Sequence, residues 1–235
     1  MLVRSKDLES SVGKSIPILF IGMCTFIAND LDDIEKDRVN HPDRPLPAHH
    51  MTPEVATVIY FASLGAALFS TRHFVGRDIA FWYYGLMTLS ISYRYIVDAL
   101  PSIKTLYVAA ASSVPVLIVV TSHPSERRLF IVAATVFLLT LGRELCGDIL
   151  DRAGDTISYM HRFKPTSLAI TSFLLQLAGL LLLIFAIRKL GDLIDLVAMT
   201  LLLALASVYW FKLAKYRRAT LVMKIQFFVG LYFLV

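Results

Sequence analysis

The sequence predicts an all-α, polytopic membrane protein, and three observations carry that reading. Of 235 residues, 57% are hydrophobic and 17% charged, against roughly 45–50% and about 25% in soluble domains. Apolar stretches recur along the whole chain, near 15–33, 52–71, 79–98, 103–121, 128–147, 167–187, 192–211 and 219–235. Most approach the ~20 residues a helix needs to cross a bilayer core. The expectation is about eight spans.

The first stretch is flanked by Lys6 and Lys14 with no cleavage-site pattern after it, so it is expected to be a span and not a secretory signal. It ends in "NDLDDIEKDRVNHPDRPLP", a dense run of acids. The third stretch carries the aromatic run "FWYYG" (Phe81 to Gly85), expected to be an interface belt or packing, and the fourth carries Pro115, which bundles tolerate as a kink. Ser, Thr, Tyr and Gly within spans suit contacts between helices. Cys24 and Cys146 both fall inside spans and read as small apolar residues, not as a disulfide pair. Tyr93, Tyr95 and Tyr107 could shield a cation, but interfacial anchoring is the commoner role and none is taken as catalytic.

The net charge is +5. If the spans alternate, loops 34–51, 99–104, 148–166 and 212–218 share one side, and with their helix ends they hold eleven Lys and Arg against six in the loops of the other side, besides Arg4, Lys6 and Lys14 before the first span. The positive-inside rule then makes that side cytoplasmic. Bases scattered through short membrane loops argue against a nucleic-acid partner. No obligate protein partner is evident.

The fifth stretch runs into a second acidic segment, "GRELCGDILDRAGD". On a helix at 100° per residue, Glu144, Asp148, Asp151 and Asp155 fall at about 0°, 40°, −20° and 20°. In the first segment Asn29, Asp33, Asp37 and Asp30 fall at about 0°, 40°, 80° and 100°. Alternation places both acidic helix ends on one side of the membrane. Like charges on one face repel. A solvated face is the ordinary explanation, but these acids continue directly from apolar spans, and the stripe from Glu144 to Asp155 has no interleaved Lys. Ionisable groups at the edge of a membrane core point to function, and divalent cations would reconcile the two stripes. All-oxygen ligands suit Mg²⁺, Mn²⁺ or Ca²⁺ and argue against Zn²⁺. An EF-hand loop starting at Asp30 fails, because Glu35 and His41 stand where Gly and Glu are required. Mg²⁺ commonly completes its shell with water and substrate phosphate. Arg38, Arg44, Lys104, Arg152, Arg162 and Lys164 on the same membrane face suit phosphate oxygens. A diphosphate head with a hydrocarbon tail, such as a prenyl diphosphate, fits these features together.

The first segment resembles the N-D-x-x-D-x-x-x-D and R-P-x-P signature of the UbiA superfamily of intramembrane prenyltransferases, through Asn29, Asp30, Asp33, Asp37, Arg44, Pro45 and Pro47. The second resembles that superfamily's D-x-x-D-x-x-x-D signature, through Asp148, Asp151 and Asp155. The resemblance covers essentially the whole chain. It implies a UbiA-like bundle of nine helices around a cavity open to lipid, with Mg²⁺ (or Mn²⁺) as cofactor. It implies Asn29, Asp30, Asp33, Asp37, Asp148, Asp151 and Asp155 as metal ligands, with the second signature also positioning an acceptor. Arg38, Arg44, Lys104 and Arg152 are expected to bind diphosphate, with Asp33, Asp148 and Lys104 the core catalytic set and Glu144 a further candidate. The implied reaction moves a prenyl group from a prenyl diphosphate to a small aromatic or hydroxyl acceptor.

Three departures stand out. The first signature ends the first apolar span, whereas in the family it ends the second helix. The chain therefore reads as a single domain over 1–235 truncated at its N-terminus, and the last span's stop at Val235 leaves the same reading open there. Asp98 stands six residues before Lys104, where the family often has a base. His49 and His50 replace the glycine usual after R-P-x-P and read as a loop feature.

The rival readings are a UbiA-type terpene cyclase, an inactive homologue, and a cation-coupled transporter. "DDIEKD" superficially meets the pattern of soluble isoprenyl diphosphate synthases, but those folds need no apolar spans.

Overall fold

A computed structural model describes residues 5–122, 128–153 and 162–186. Among them the secondary structure is helical throughout, with no strand. Helices α1 (Ser5–Asp32), α2 (Ile34–Asn40), α3 (Pro53–Phe74), α4 (Arg77–Ala99), α5 (Lys104–Ser122), α6 (Arg128–Leu150) and α7 (Pro165–Ala186) cover the first six predicted spans. The last two, 192–211 and 219–235, lie outside the described residues. Val12–Asp32, Pro53–Phe74, Leu129–Leu150 and Pro165–Leu183 are each long and apolar enough to cross a membrane, while the apolar part of α5, Lys104–Val119, is shorter.

The chain divides into two compact units, Met1–Ala99 and Leu100–Val235. In the first, α1 packs against α3 and α4. The Tyr83 hydroxyl of α4 donates to the Lys14 carbonyl of α1 at 3.0 Å, and the Cys24 thiol donates to the Tyr60 carbonyl of α3 at 3.6 Å. The buried Tyr83 ring thus brings its own polar partner into an apolar contact, as buried tyrosines usually do. Pro53 opens α3 at a position where no intrahelical donor is lost. Thr52 caps that end, accepting from the Val55 N–H at 3.4 Å. Leu19, Phe26, Phe61 and Phe69 point outward from α1 and α3, a face that suits hydrocarbon and not water.

The loop 41–52 is folded on itself. The N–H groups of His50 and Met51 donate to the Pro45 carbonyl at 2.9 and 3.0 Å, and Leu46 is buried. His49 adopts φ 57°, the left-handed region that glycine enters most easily. One of the two histidines singled out in this loop is thus held in a conformation that favours glycine.

In the second unit α6 packs against both α5 and α7. The α6–α7 contact is close because small residues line it. The Ser172 hydroxyl donates to the Gly142 carbonyl and the Gln176 amide to the Leu139 carbonyl, each at 2.6 Å. Small residues that let backbones approach, joined by polar side chains, are how membrane helices associate without a hydrophobic driving force. Leu145, Ile149 and Leu168 form the buried cluster beside this seam, just below the acidic end of α6.

Candidate functional site

The first acidic segment straddles the junction of α1 and α2. Asn29 and Asp30 occupy the last turn of α1, Asp33 stands at the N-cap position of α2 without a side-chain capping bond, and Asp37 lies within α2. The break at Asp33 is slight. Its N–H donates to the Asn29 carbonyl at 2.9 Å, and the Asp37 N–H donates to the Asp33 carbonyl at 2.7 Å, so the helical pitch carries through. Asp30 and Asp37, seven residues apart, therefore share a face. Arg44 reaches back from the loop to that face. Its Nη1 lies 2.6 Å from Asp37 Oδ2 and 3.4 Å from Asp30 Oδ1. The Asp37 side chain is only 6% exposed. A carboxylate this buried needs a compensating charge, and the guanidinium supplies it. Asp33 pairs with Lys36 at 3.0 Å. Arg38 pairs with Glu35 at 2.8 Å on an exposed face, where such pairs contribute little.

The second acidic segment begins in the last turns of α6. Asp148 has an 8% exposed side chain and is met by the first two residues of α5. Lys104 Nζ lies 3.8 Å from Asp148 Oδ1, and the Thr105 hydroxyl donates to Oδ2 at 3.1 Å. Thr105 belongs to neither acidic signature, and sequence reasoning missed its contact with Asp148. Its position directly after Lys104 was the available signal. Glu144 forms an ion pair with its neighbour Arg143. The α-helix ends at Leu150, and Asp151 and Arg152 fall in the 3₁₀ turn Asp151–Ala153. The single helical stripe expected from the spacing thus runs continuously through Glu144 and Asp148 only. Arg152 Nη2 donates to the Phe163 carbonyl at 2.6 Å, tying the 3₁₀ turn to the residues just before α7. Asp155 lies outside the described residues, as do the structural surroundings of the Asp98 side chain. Tyr95 is exposed, and Tyr93 and Tyr107 are half-buried.

With this arrangement in view, the sequence matches the profile of the UbiA prenyltransferase family over residues 15–234. The chain belongs to the UbiA prenyltransferase family. It is an integral, multi-pass membrane protein, as the apolar helices and the family together require. The digeranylgeranylglyceryl phosphate synthase of Pyrococcus abyssi is 30% identical over 128 residues, which are 54% of this chain and 46% of that protein. The protein of the same name from Metallosphaera sedula is 28% identical over 146 residues, 59% of this chain and 49% of that one. The one from Thermococcus sibiricus is 27% identical over 129 residues, 55% and 46% respectively. The chain spans about half the length of the curated relatives it matches. No solved structure matches it.

UbiA prenyltransferases generally use divalent metal ions, and the carboxylates can be tested against that need. Among the described residues no three His, Cys, Asp or Glu side chains converge on one cation position. Mg²⁺ does not require three, since one or two carboxylates with water and substrate phosphates suffice. Asp30 and Asp37 meet that lower requirement. Both direct an oxygen at a single guanidinium nitrogen, so two carboxylates already converge on one positive centre. Asp148, held by a hydroxyl and facing an ammonium, offers a third carboxylate of the same oxygen-only chemistry. The donors fit a hard divalent cation.

Proposed function

We propose that this chain, acting as one domain over residues 1–235, transfers a prenyl group from a prenyl diphosphate to a hydroxyl of a glyceryl phosphate acceptor within the membrane, in a Mg²⁺-dependent reaction. The observation that carries this reading is the Arg44 bridge. Two carboxylates of the first signature, one of them buried, converge on one cation in a chain whose family profile runs from 15 to 234. The names of the relatives support a prenylated glyceryl phosphate as product. A geranylgeranyl group is accordingly the first donor to test.

In this reading Asn29, Asp30, Asp33 and Asp37 hold metal at one acidic end, and Asp148, Asp151 and Asp155 hold it at the other. Mn²⁺ would substitute for Mg²⁺ at both. Arg38, Arg44, Lys104 and Arg152 bind diphosphate oxygens, with Asp33, Asp148 and Lys104 the core of the catalytic set. Bound metal would neutralise negative charge on the leaving group. The allylic C–O bond breaks, its electron pair leaving with the diphosphate. Arg44 and Lys104 then supply positive charge where that negative charge develops, which is electrostatic catalysis. The acceptor oxygen forms the new C–O bond to the allylic carbon and gives up its proton to the departing diphosphate. Both acidic ends face the cytoplasm in this reading, following the distribution of Lys and Arg.

The test incubates membranes containing the full chain and Mg²⁺ with labelled geranylgeranyl diphosphate in three arms. One adds a mono-geranylgeranylated glyceryl phosphate, one an aromatic acid, and one no acceptor. The expected result is diphosphate release and an ether product, identified by mass, in the first arm alone. A hydrocarbon product without acceptor would replace the reading with a cyclase. Neither binding nor diphosphate release in any arm would overturn the enzyme reading.

A further inference from the structure

Among the described residues, hydroxyl side chains mostly bond within their own helix. Thr25, Ser63, Thr71 and Thr88 each donate to the carbonyl four residues earlier, at 2.8–2.9 Å. That is the ordinary fate of Ser and Thr in membrane helices. Thr105 is different. It is the second residue of α5, just beyond the 3₁₀ turn Pro101–Ile103, and its hydroxyl donates across to Asp148 Oδ2 of α6 at 3.1 Å. Thr105 is 4% exposed, and the carboxylate it holds is nearly as buried. The side chain of Lys104 approaches the other oxygen, Oδ1, at 3.8 Å. Two consecutive residues of one helix thus engage the two oxygens of one carboxylate on another. Lys104 does so through a long flexible stem, whereas the β-branched Thr105 has few χ1 choices and acts as a fixed handle.

We infer that Thr105 is a positioning residue for Asp148, holding its carboxylate in the orientation that turns Oδ1 toward Lys104. The inference rests on the proposed function, in which Asp148 is a metal ligand and Lys104 a diphosphate ligand. Its chemistry is that of an outer partner orienting a ligating group. A hydroxyl that donates to one carboxylate oxygen fixes the direction of the other and limits rotation about the Cβ–Cγ bond. Groups in such a role are typically worth about 10- to 100-fold in metal affinity or activity.

The experiment uses the full chain in nanodiscs and reads Mn²⁺ binding by electron paramagnetic resonance of the free ion. It also reads kcat and KM for geranylgeranyl diphosphate. Thr105→Val removes the hydroxyl and keeps the shape, Thr105→Ser keeps the hydroxyl, and each is made alone and with Asp148→Asn. Val is expected to weaken Mn²⁺ binding about 10- to 100-fold, with kcat falling more than KM changes. Ser is expected to restore most of the loss. In the Asp148→Asn background Val should add nothing further, because the group it positions has already been altered. Mn²⁺ affinity of Thr105→Val equal to wild type would overturn the inference, as would an equal loss in the Asp148→Asn background. If the Val variant does not assemble, Thr105→Ala takes the same comparison with Ser. The two readings fail differently. Wild-type protein that binds Mn²⁺ but releases no diphosphate overturns the proposed reaction and leaves the Thr105 comparison readable on Mn²⁺ alone. Wild-type protein that binds no Mn²⁺ overturns both.

Discussion

Replacing Gly142 with alanine tests the helix seam that supports Asp148. A Cβ at position 142 would lie 2.8 Å from the Ser172 carbonyl oxygen, 3.0 Å from Gln176 Nε2 and 3.1 Å from Gln176 Cγ. The Gln176 atoms belong to a flexible side chain, but the Ser172 oxygen belongs to the backbone of α7. To reach an ordinary carbon–oxygen contact of roughly 3.3–3.6 Å the helices must separate by more than about half an ångström. The bonds from Ser172 to Gly142 and from Gln176 to Leu139, both 2.6 Å, flank this point and would stretch together. Interhelical hydrogen bonds in membranes average about 0.6 kcal/mol each, and overpacking costs about 1–3 kcal/mol. Alanine recovers about 0.8–1 kcal/mol through helix propensity. The net expectation is a loss of about 1–3 kcal/mol. Unfolding in mixed micelles, followed by circular dichroism, measures it. Gly65→Ala in α3 is the matched control, since no described atom lies within 4 Å of its added Cβ. It should gain up to about 1 kcal/mol. If Gly142→Ala proves as stable as Gly65→Ala, the close α6–α7 approach is wrong. On the proposed function, turnover by Gly142→Ala also falls, because α6 carries Asp148.

Arg44→Gln strips the shared cation from Asp30 and Asp37. With Asp37 buried and Arg44 itself partly solvated, stability should fall by about 1–3 kcal/mol. Millimolar Mg²⁺ should then raise the melting temperature of this variant more than that of wild type; an equal Mg²⁺ response in both would break the link between Arg44 and a metal position. His49→Gly should stabilise the protein by about 0.5–1 kcal/mol, since glycine enters the left-handed region without the Cβ penalty; a less stable variant would show that the imidazole makes a compensating contact. Asp33→Ala and Asp148→Ala should each abolish turnover while leaving the helical circular dichroism signal intact, and chelation of Mg²⁺ should do the same reversibly. Wild-type turnover in both alanine variants would defeat the metal assignment.

The helices were legible because a membrane helix has to be apolar along its length and about twenty residues long. For α5 the apolar stretch 103–121 differs from Lys104–Ser122 by a residue at either end. For α1 hydropathy places the start near 15, whereas the helix begins at Ser5. Its first turns, "SKDLESSVGK", are polar, so no apolar pattern marks them. The acidic faces were legible where the helix persists. Asp30 and Asp37 share Arg44 as their spacing requires, but the 3₁₀ turn at Asp151 interrupts the second face. What the sequence could not disclose was which base meets which acid. The sequence suits Arg44 to diphosphate oxygens without showing that its guanidinium lies on two carboxylates. Thr105 has no spacing relation to Asp148, forty-three residues away. Only the packing of α5 on α6 brings them together.

The pairing of acids with the chain's own bases also constrains how a metal could be taken up. A buried carboxylate at the edge of a membrane core cannot be left uncompensated, because an unpaired charge in that setting is among the costliest features a fold can carry. The fold meets that demand at Asp37 with a guanidinium and at Asp148 with a hydroxyl and an ammonium. A divalent cation entering beside Asp30 and Asp37 would not meet a vacant ligand set. It would compete with Arg44, and its apparent affinity would be the difference between two electrostatic interactions. A guanidinium displaced from the carboxylates needs a new anionic partner. On the proposed function a diphosphate is that partner, since a guanidinium fork suits phosphate oxygens. Metal and diphosphate binding would then favour one another. Each relieves a cost the other creates, so the Mn²⁺ affinity of wild type should rise when inorganic diphosphate is added, and Arg44→Gln should lose that coupling. An unchanged affinity in wild type would mean that Arg44 stays on Asp37 throughout and has a structural role alone.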